Sequence, residues 1–149
     1  MKILFLTLCI ATAAALSVSA GDTPAEKAFV EKYKTAYEAN DKATLESFLY
    51  KEGAHPMALE FFTMMMTEGA GGKISSIELT DLSPEEMKKA AGTQPGPDGK
   101  MTKMPLKPTK KLKVTVETKD ANGSGTETTS RMVAEKDGKF VIPVPVPAK

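Results

Sequence analysis

The sequence predicts an α+β domain in which N-terminal helices cover one face of an antiparallel sheet and a C-terminal β-meander completes that sheet. Two observations predict this class. Apolar side chains recur with a helical period across residues 24–67 and with a period of two across residues 111–142. The alternating segments keep one polar face, so one side of the sheet meets water and the other needs a cover. The helices of the first half supply it.

The longest periodic segment, residues 24–40, predicts an amphipathic helix. Phe29, Tyr33 and Tyr37 recur every four residues, and most of the opposite side is charged. We therefore expect the later elements to pack against this helix.

Two helix starts carry a capping box, in which a hydroxyl and a carboxylate three residues apart satisfy free backbone N–H groups. Thr23 and Glu26 form the first pair, and Ser83 and Glu86 form the second. The second box predicts a short helix over residues 84–91.

Residues 1–20 have the features of a secretory signal peptide. Lys2 supplies a positive start, residues 3–16 are mainly apolar, and small residues precede a cleavage site after Ala20. The apolar run is shorter than the roughly 20 residues of a membrane-spanning helix. We expect residues 21–149 to form one mature α+β domain without a membrane anchor.

The composition of the mature chain excludes some classes of function and favours one kind of compartment. Removing 20 of 149 residues leaves 129, with 19 basic and 19 acidic side chains. Zero net charge argues against nucleic-acid binding and against attraction to anionic membranes. The single cysteine, Cys9, lies in the leader. An exported domain without thiols favours a periplasmic or secreted location, in a bacterium rather than an animal.

Two more helices follow the first. Residues 41–51 predict a short helix that Asp41 caps, and residues 56–67 predict a helix that is apolar round most of its circumference. A helix of the second kind is buried on most sides or meets a partner, so a homodimer is one expectation.

The second half alternates between strands and loops. Residues 73–80 predict a half-buried strand, and residues 92–108 form a long loop rich in Gly, Pro and Lys. Neither side of this loop could form a core alone, so it is not read as a domain boundary.

The meander contains three predicted strands. Residues 111–117 and 126–135 are the first two, and Asp137-Gly138 predicts a tight hairpin into the strand at 140–142. Prolines in residues 143–149 predict that the last strand lies at an edge and continues as an extended tail.

The run YKTAYEANDKATLESFLY, followed by a closing meander, resembles the nuclear transport factor 2-like superfamily, which includes SnoaL-like proteins and ketosteroid isomerases. The resemblance covers residues 24–142 as an order of elements. It implies a curved sheet wrapped around the first helix as a cone, with a pocket at its mouth.

The resemblance carries over only part of a catalytic site. Tyr33 stands eight residues before Asp41, as the oxyanion-stabilising tyrosine of the isomerases does, although Asn-Asp replaces their Gly-Asp. The aspartate base that follows the second helix in those enzymes is missing from GAHPMALEFF. We therefore assign no catalytic residue and no cofactor.

The predicted function is binding, in or near the cone pocket, of a small apolar molecule or a partner protein. An isomerase or hydratase that uses Tyr33 is the alternative. The residues expected to line the pocket are Tyr33, Tyr37, Phe61, Phe62, Met65, Val114 and Val116.

Methionine is the one unusual feature of the composition. Met64, Met65 and Met66 are consecutive, and Met101 and Met104 lie in the long loop. Thioethers are soft ligands that suit Cu(I), so copper binding is a further alternative, although methionine also fills irregular cores. We assign no metal ligand.

The only histidine, His55, precedes the apolar helix. Zinc sites use three or four protein ligands, so one histidine does not indicate such a site. We interpret His55 as a surface residue at a helix terminus.

Overall fold

The computed structural model describes residues 17–19, 23–96, 98–120 and 123–149. Most of the predicted leader lies outside these residues. Its described part, Ser17–Ser19, forms a short strand, β1, which runs parallel to residues 76–78.

Four helices lie in the regions that the periodicity and the second capping box predict, and both capping boxes are confirmed. The Thr23 hydroxyl accepts from the Glu26 N–H, and the Ser83 hydroxyl accepts from the Glu86 N–H, each at 3.2 Å. The helices are α1 (Pro24–Glu38), α2 (Lys42–Ser47), α3 (Pro56–Thr67) and α4 (Pro84–Ala91).

The remaining strands make up most of the second half. They are β2 (Leu49–Tyr50), β3 (Ile74–Asp81), β4 (Gln94–Pro95), β5 (Met101–Lys103), β6 (Lys110–Asp120), β7 (Gly123–Lys136), β8 (Lys139–Pro143) and β9 (Val146–Pro147).

The main sheet has the strand order β1-β3-β6-β7-β8-β2. The α+β class and the meander of β6, β7 and β8 are confirmed. The expectation of a purely antiparallel sheet is wrong, because β1 and β2 pair in parallel with β3 and β8. At the predicted hairpin, Asp137 and Gly138 both have positive φ, 52° and 73°, as a type I′ turn requires.

The second helix is shorter than predicted, because its apolar end joins the sheet. α2 ends at Ser47, and Leu49 pairs with Ile142. The Ile142 N–H donates to the Phe48 carbonyl at 2.8 Å, so tertiary pairing replaces a further helical turn. The last long strand, β8, is therefore not at an edge, and that prediction is also wrong.

The long loop and the proline-rich tail meet in a second sheet, which the sequence did not predict. Its order is β4-β5-β9. Thr102 pairs with Pro147, and the Ala148 N–H donates to the Met101 carbonyl at 2.9 Å. Proline is tolerated in β9 because β9 is an edge strand of this sheet.

The core lies between α1 and the apolar face of the main sheet. Phe29 packs edge-on against Phe48 with ring centroids 5.2 Å apart, and Tyr33 and Leu45 are fully buried. The strand side chains in the same cluster are Ile74, Ile77, Leu79, Leu112, Val114, Val116, Val133 and Ile142.

Candidate functional site

A cavity of about 490 Å³ opens beside this core, a volume typical of small-molecule sites. The end of α1, the end of α3 with the turn after it, and the middle of β6 and β7 form its walls. Its lining residues are Tyr37, Met65, Glu68, Gly69, Gly72, Val116, Glu117, Thr118, Glu127, Thr129, Ser130 and Arg131.

Every second side chain of β7 faces the cavity side of the sheet, and these side chains change from apolar to charged along the strand. Val133, Arg131, Thr129 and Glu127 point to the same face of the sheet. Val133 is fully buried in the core, Arg131 is 8% exposed, Thr129 is half-buried and Glu127 is exposed. Arg131 therefore lies at the boundary between the hydrophobic core and the cavity.

Arg131 is the only arginine in the sequence. Its Nη1 donates to Thr129 Oγ1 at 2.8 Å, and its Nη2 donates to the Met65 carbonyl at 2.5 Å. Its Nε is buried and has no hydrogen-bond partner among the described residues. Both acceptors are uncharged, and the Met65 carbonyl joins β7 to α3 through the guanidinium.

Two tyrosines stack beside the guanidinium. The rings of Tyr33 and Tyr37 lie 6.2 Å apart and nearly parallel. Burial raises the pKa of both phenols, and the positive charge of Arg131 opposes that rise in each pKa. Both tyrosines are therefore neutral hydroxyl groups at physiological pH.

The turn after α3 holds Tyr37 in place. The Tyr37 hydroxyl donates to the Glu68 carbonyl at 3.1 Å, and the Gly71 N–H donates to the Tyr37 carbonyl at 2.7 Å. Gly69 has φ +70°, and a Cβ there would lie 2.7 Å from the Tyr37 hydroxyl. Glycine is required at position 69 for both its backbone conformation and this close approach.

The structure places the seven expected pocket residues in different environments. Three of them, Tyr37, Met65 and Val116, line the cavity together. Tyr33 and Val114 lie in the core instead, where Tyr33 is fully buried and Val114 is 1% exposed.

The two phenylalanines of α3 do not line the cavity. Phe61 is 46% exposed, and its neighbour Phe62 packs partly against the core. The methionines of this helix diverge as well, because Met66 is fully buried whereas Met64 is 55% exposed.

The Tyr33 hydroxyl is buried and has no hydrogen-bond partner among the described residues. An isomerase site needs a proton acceptor near the reacting carbon, within hydrogen-bond reach of a bound substrate. Tyr33 does not line the cavity, which would be the entry point for a substrate. Among the described residues, this arrangement offers hydrogen bonding by Tyr37 and Arg131 but no acid–base pair built on Tyr33.

The sequence suggested an ordinary surface position for His55, but the structure shows a mostly buried side chain. Its side chain is 12% exposed, and its Nε2 lies 3.0 Å from Asp98 Oδ2. This pair ties the start of α3 to the long loop, away from the cavity lining.

Sequence reasoning missed Arg131 and the three glutamates of the cavity lining, Glu68, Glu117 and Glu127. The polar residues of segment 126–135 predict a strand but do not by themselves indicate a site. The available signal was a lone arginine spaced two residues from Val133, which puts its charge on the core-facing side.

Comparison with protein families, with curated proteins and with solved structures finds no match for this chain. Within residues 17–19, 23–96, 98–120 and 123–149, no three His, Cys, Asp or Glu side chains are grouped to hold a metal ion. None of the helices described above is long and apolar enough to cross a bilayer.

Proposed function

We propose that this protein is an exported, non-catalytic domain of the nuclear transport factor 2-like kind that binds a small molecule in the cavity beside Tyr37. In this proposal the main sheet curves around α1 as a cone, and residues 1–20 direct export to a periplasmic or extracellular location. The observation that carries the proposal is the cavity of about 490 Å³, whose wall combines apolar and hydrogen-bonding side chains.

The contents of the wall favour an amphipathic ligand. Met65 and Val116 offer apolar surface, and Thr118 and Thr129 offer hydroxyl groups. The alternative of an isomerase or hydratase receives less support, because the Tyr33 hydroxyl is buried in the core without a hydrogen-bond partner among the described residues.

A neutral fluorescent probe, N-phenyl-1-naphthylamine, tests binding in the mature protein. We expect a fluorescence increase that saturates at one probe per chain. Thr118→Trp, which fills the cavity wall, should abolish the increase. The control is Thr126→Trp. Thr126 follows Gly125, the β7 residue that pairs with Thr118, and it does not line the cavity. Equal probe binding by the two variants, or none by the wild type, would refute the proposal. If the probe binds as expected, native mass spectrometry of protein from its own compartment identifies the natural ligand.

A second candidate function is protein interaction through α3. Met57, Phe61 and Met64 lie at positions i, i+4 and i+7, and are 47%, 46% and 55% exposed. Apolar stripes of this kind occur at protein interfaces. If α3 mediates a homodimer, light scattering should give twice the mass of the chain, and Phe61→Glu should reduce it to the monomer. A strict monomer in the wild type counts against this role.

Copper binding by methionines remains an alternative without structural support. Met101 is 45% exposed, but Met66 of the α3 cluster is buried in the core. Titration of the mature protein with Cu(I) under reducing conditions tests it directly, and no binding at micromolar copper would remove it.

A further inference from the structure

The cavity contains a buried positive charge. Arg131 has five N–H donors, and the described hydrogen bonds use two of them, both with uncharged acceptors. It forms no salt bridge with a carboxylate in the part of the chain that the structure describes. A guanidinium that is 8% exposed is thus held at the cavity wall without a carboxylate in salt-bridge contact.

Burying a cation without an anion beside it is costly, because the protein interior replaces water poorly as a solvent for charge. The rest of the chain uses lysine for its positive charges, and arginine appears only here. Guanidinium differs from ammonium in offering a planar fork of donors that matches a carboxylate.

We infer that the cavity binds a monocarboxylate whose carboxylate is received by the Arg131 guanidinium and whose apolar body lies against Tyr37, Met65 and Val116. This inference rests on the proposed function, since it names the ligand class of the same cavity. The hydroxyl groups of Thr118 and Ser130 are further donors in the lining.

The other charges of the lining disfavour a ligand with two negative charges. Glu68, Glu117 and Glu127 are exposed and line the cavity with Arg131. They repel any anionic group, and a dianion more strongly than a monoanion, although water screens them more than it screens the buried guanidinium. A dianion such as a phosphate monoester is therefore disfavoured relative to a monocarboxylate.

Arg131 also has a plain structural role, because it joins β7 to the end of α3. Substitution alone would not separate that role from ligand binding, since loss of either role would reduce binding by the variant. The ligand's charge is therefore the primary variable, and it is changed with the wild-type protein intact.

The experiment titrates the mature protein with three matched probes by calorimetry at pH 7, and follows the Tyr37 and Thr129 signals by NMR. The probes are 4-phenylbutyrate, its uncharged amide and phenyl phosphate. We expect 4-phenylbutyrate to bind about tenfold or more tightly than the amide, which is the range of a charge-assisted hydrogen bond. Phenyl phosphate should bind more weakly than 4-phenylbutyrate.

Equal binding of 4-phenylbutyrate and its amide would overturn the inference, and so would tighter binding of phenyl phosphate. If N-phenyl-1-naphthylamine still binds in either case, the cavity function stands and only the ligand class fails. Arg131→Gln then provides the variant test. If it folds, it should bind 4-phenylbutyrate and the amide alike, and a retained preference for the carboxylate would contradict the assignment. If it does not fold, the wild-type comparison decides.

Discussion

Replacing Glu26 with glutamine should destabilise the domain by removing a buried ion pair. Glu26 is 3% exposed, and its Oε1 pairs with Lys110 Nζ. Its Oε2 accepts from the Thr23 N–H at 2.8 Å, completing the capping box of α1. The substitution keeps the size and one acceptor of the side chain but removes its charge.

The size of the expected stability loss follows from the hydrogen bonds that Thr23 and Lys110 keep in the variant. A hydrogen bond to a charged group contributes about 1.5–3 kcal/mol. Glutamine can still accept from Thr23, and Lys110 keeps its 2.8 Å contact with the exposed Asp81. We therefore expect a loss near the lower end, about 1.5–2 kcal/mol, which corresponds to a fall in Tm of roughly 6 °C for a domain of this size.

The effect should depend on pH in a defined direction. The hydrogen bond from Lys110 is the main reason why the pKa of Glu26 lies below its ordinary value of 4.5. A lowered carboxyl pKa stabilises the fold above pH 4.5, and this contribution is lost as the pH falls through the folded-state pKa. The difference in free energy of unfolding between wild type and variant should therefore shrink between pH 5 and pH 2.

Urea denaturation followed by circular dichroism, at pH 7 and at pH 3, measures both effects. Other carboxyls with lowered pKa values, those of Asp41, Glu86 and Asp98, are present in both proteins, so their contribution cancels. The matched control is Glu31→Gln on the exposed side of α1, which should change stability by less than about 0.5 kcal/mol. The reasoning is refuted if the two variants behave alike at pH 7, or if the difference between wild type and Glu26→Gln does not depend on pH.

Two further pairs of substitutions test the tyrosines and the turn beside the cavity. Tyr33→Phe removes a buried hydroxyl without a hydrogen-bond partner among the described residues, so it should stabilise the domain by about 1 kcal/mol. Tyr37→Phe removes a hydrogen bond and should destabilise the domain by about 1 kcal/mol. Thermal unfolding measures both, and a larger loss of stability in Tyr33→Phe would contradict this expectation. Gly69→Ala should lower Tm and weaken N-phenyl-1-naphthylamine binding, because its Cβ would displace the Tyr37 hydroxyl. Gly99→Ala has a similar φ, +78°, but meets no atom within 4 Å, so it should lower Tm less and leave binding unchanged; equal losses would show that backbone strain alone matters.

Local patterns predicted the elements whose cause is local. The capping boxes at Thr23 and Ser83 and the positive-φ turn at Asp137-Gly138 depend on residues within four positions of each other. The alternation of β3 and β6 reports burial of one face, which a period of two in the sequence shows directly.

The missed elements depend on distant partners. β2 and β9 are two residues long and have no periodicity of their own, so only their pairing with residues near 142 and 102 makes them strands. Leu49 therefore continues a helical pattern in the sequence and yet adopts the strand conformation. Tertiary pairing overrides local propensity at such positions.

The candidate site was partly predictable. Tyr37, Met65 and Val116 follow from apolar periodicity, and Arg131 was available from its spacing to Val133. Which core residues border open space was not predictable. Tyr33 and Tyr37 occupy equivalent positions in the periodic pattern, but only Tyr37 reaches the cavity. Tyr37 lies in the last turn of α1, where the turn at Gly69 approaches its hydroxyl.

The parallel pairing of β2 with β8 has a consequence for how the chain folds. Leu49 meets Ile142, and the Val144 N–H donates to the Tyr50 carbonyl, so the main sheet stays incomplete until these late residues have been synthesised. Contacts between such distant segments make folding slow, because a long loop must close before they form. The last steps of folding therefore follow the synthesis of the chain rather than accompany it.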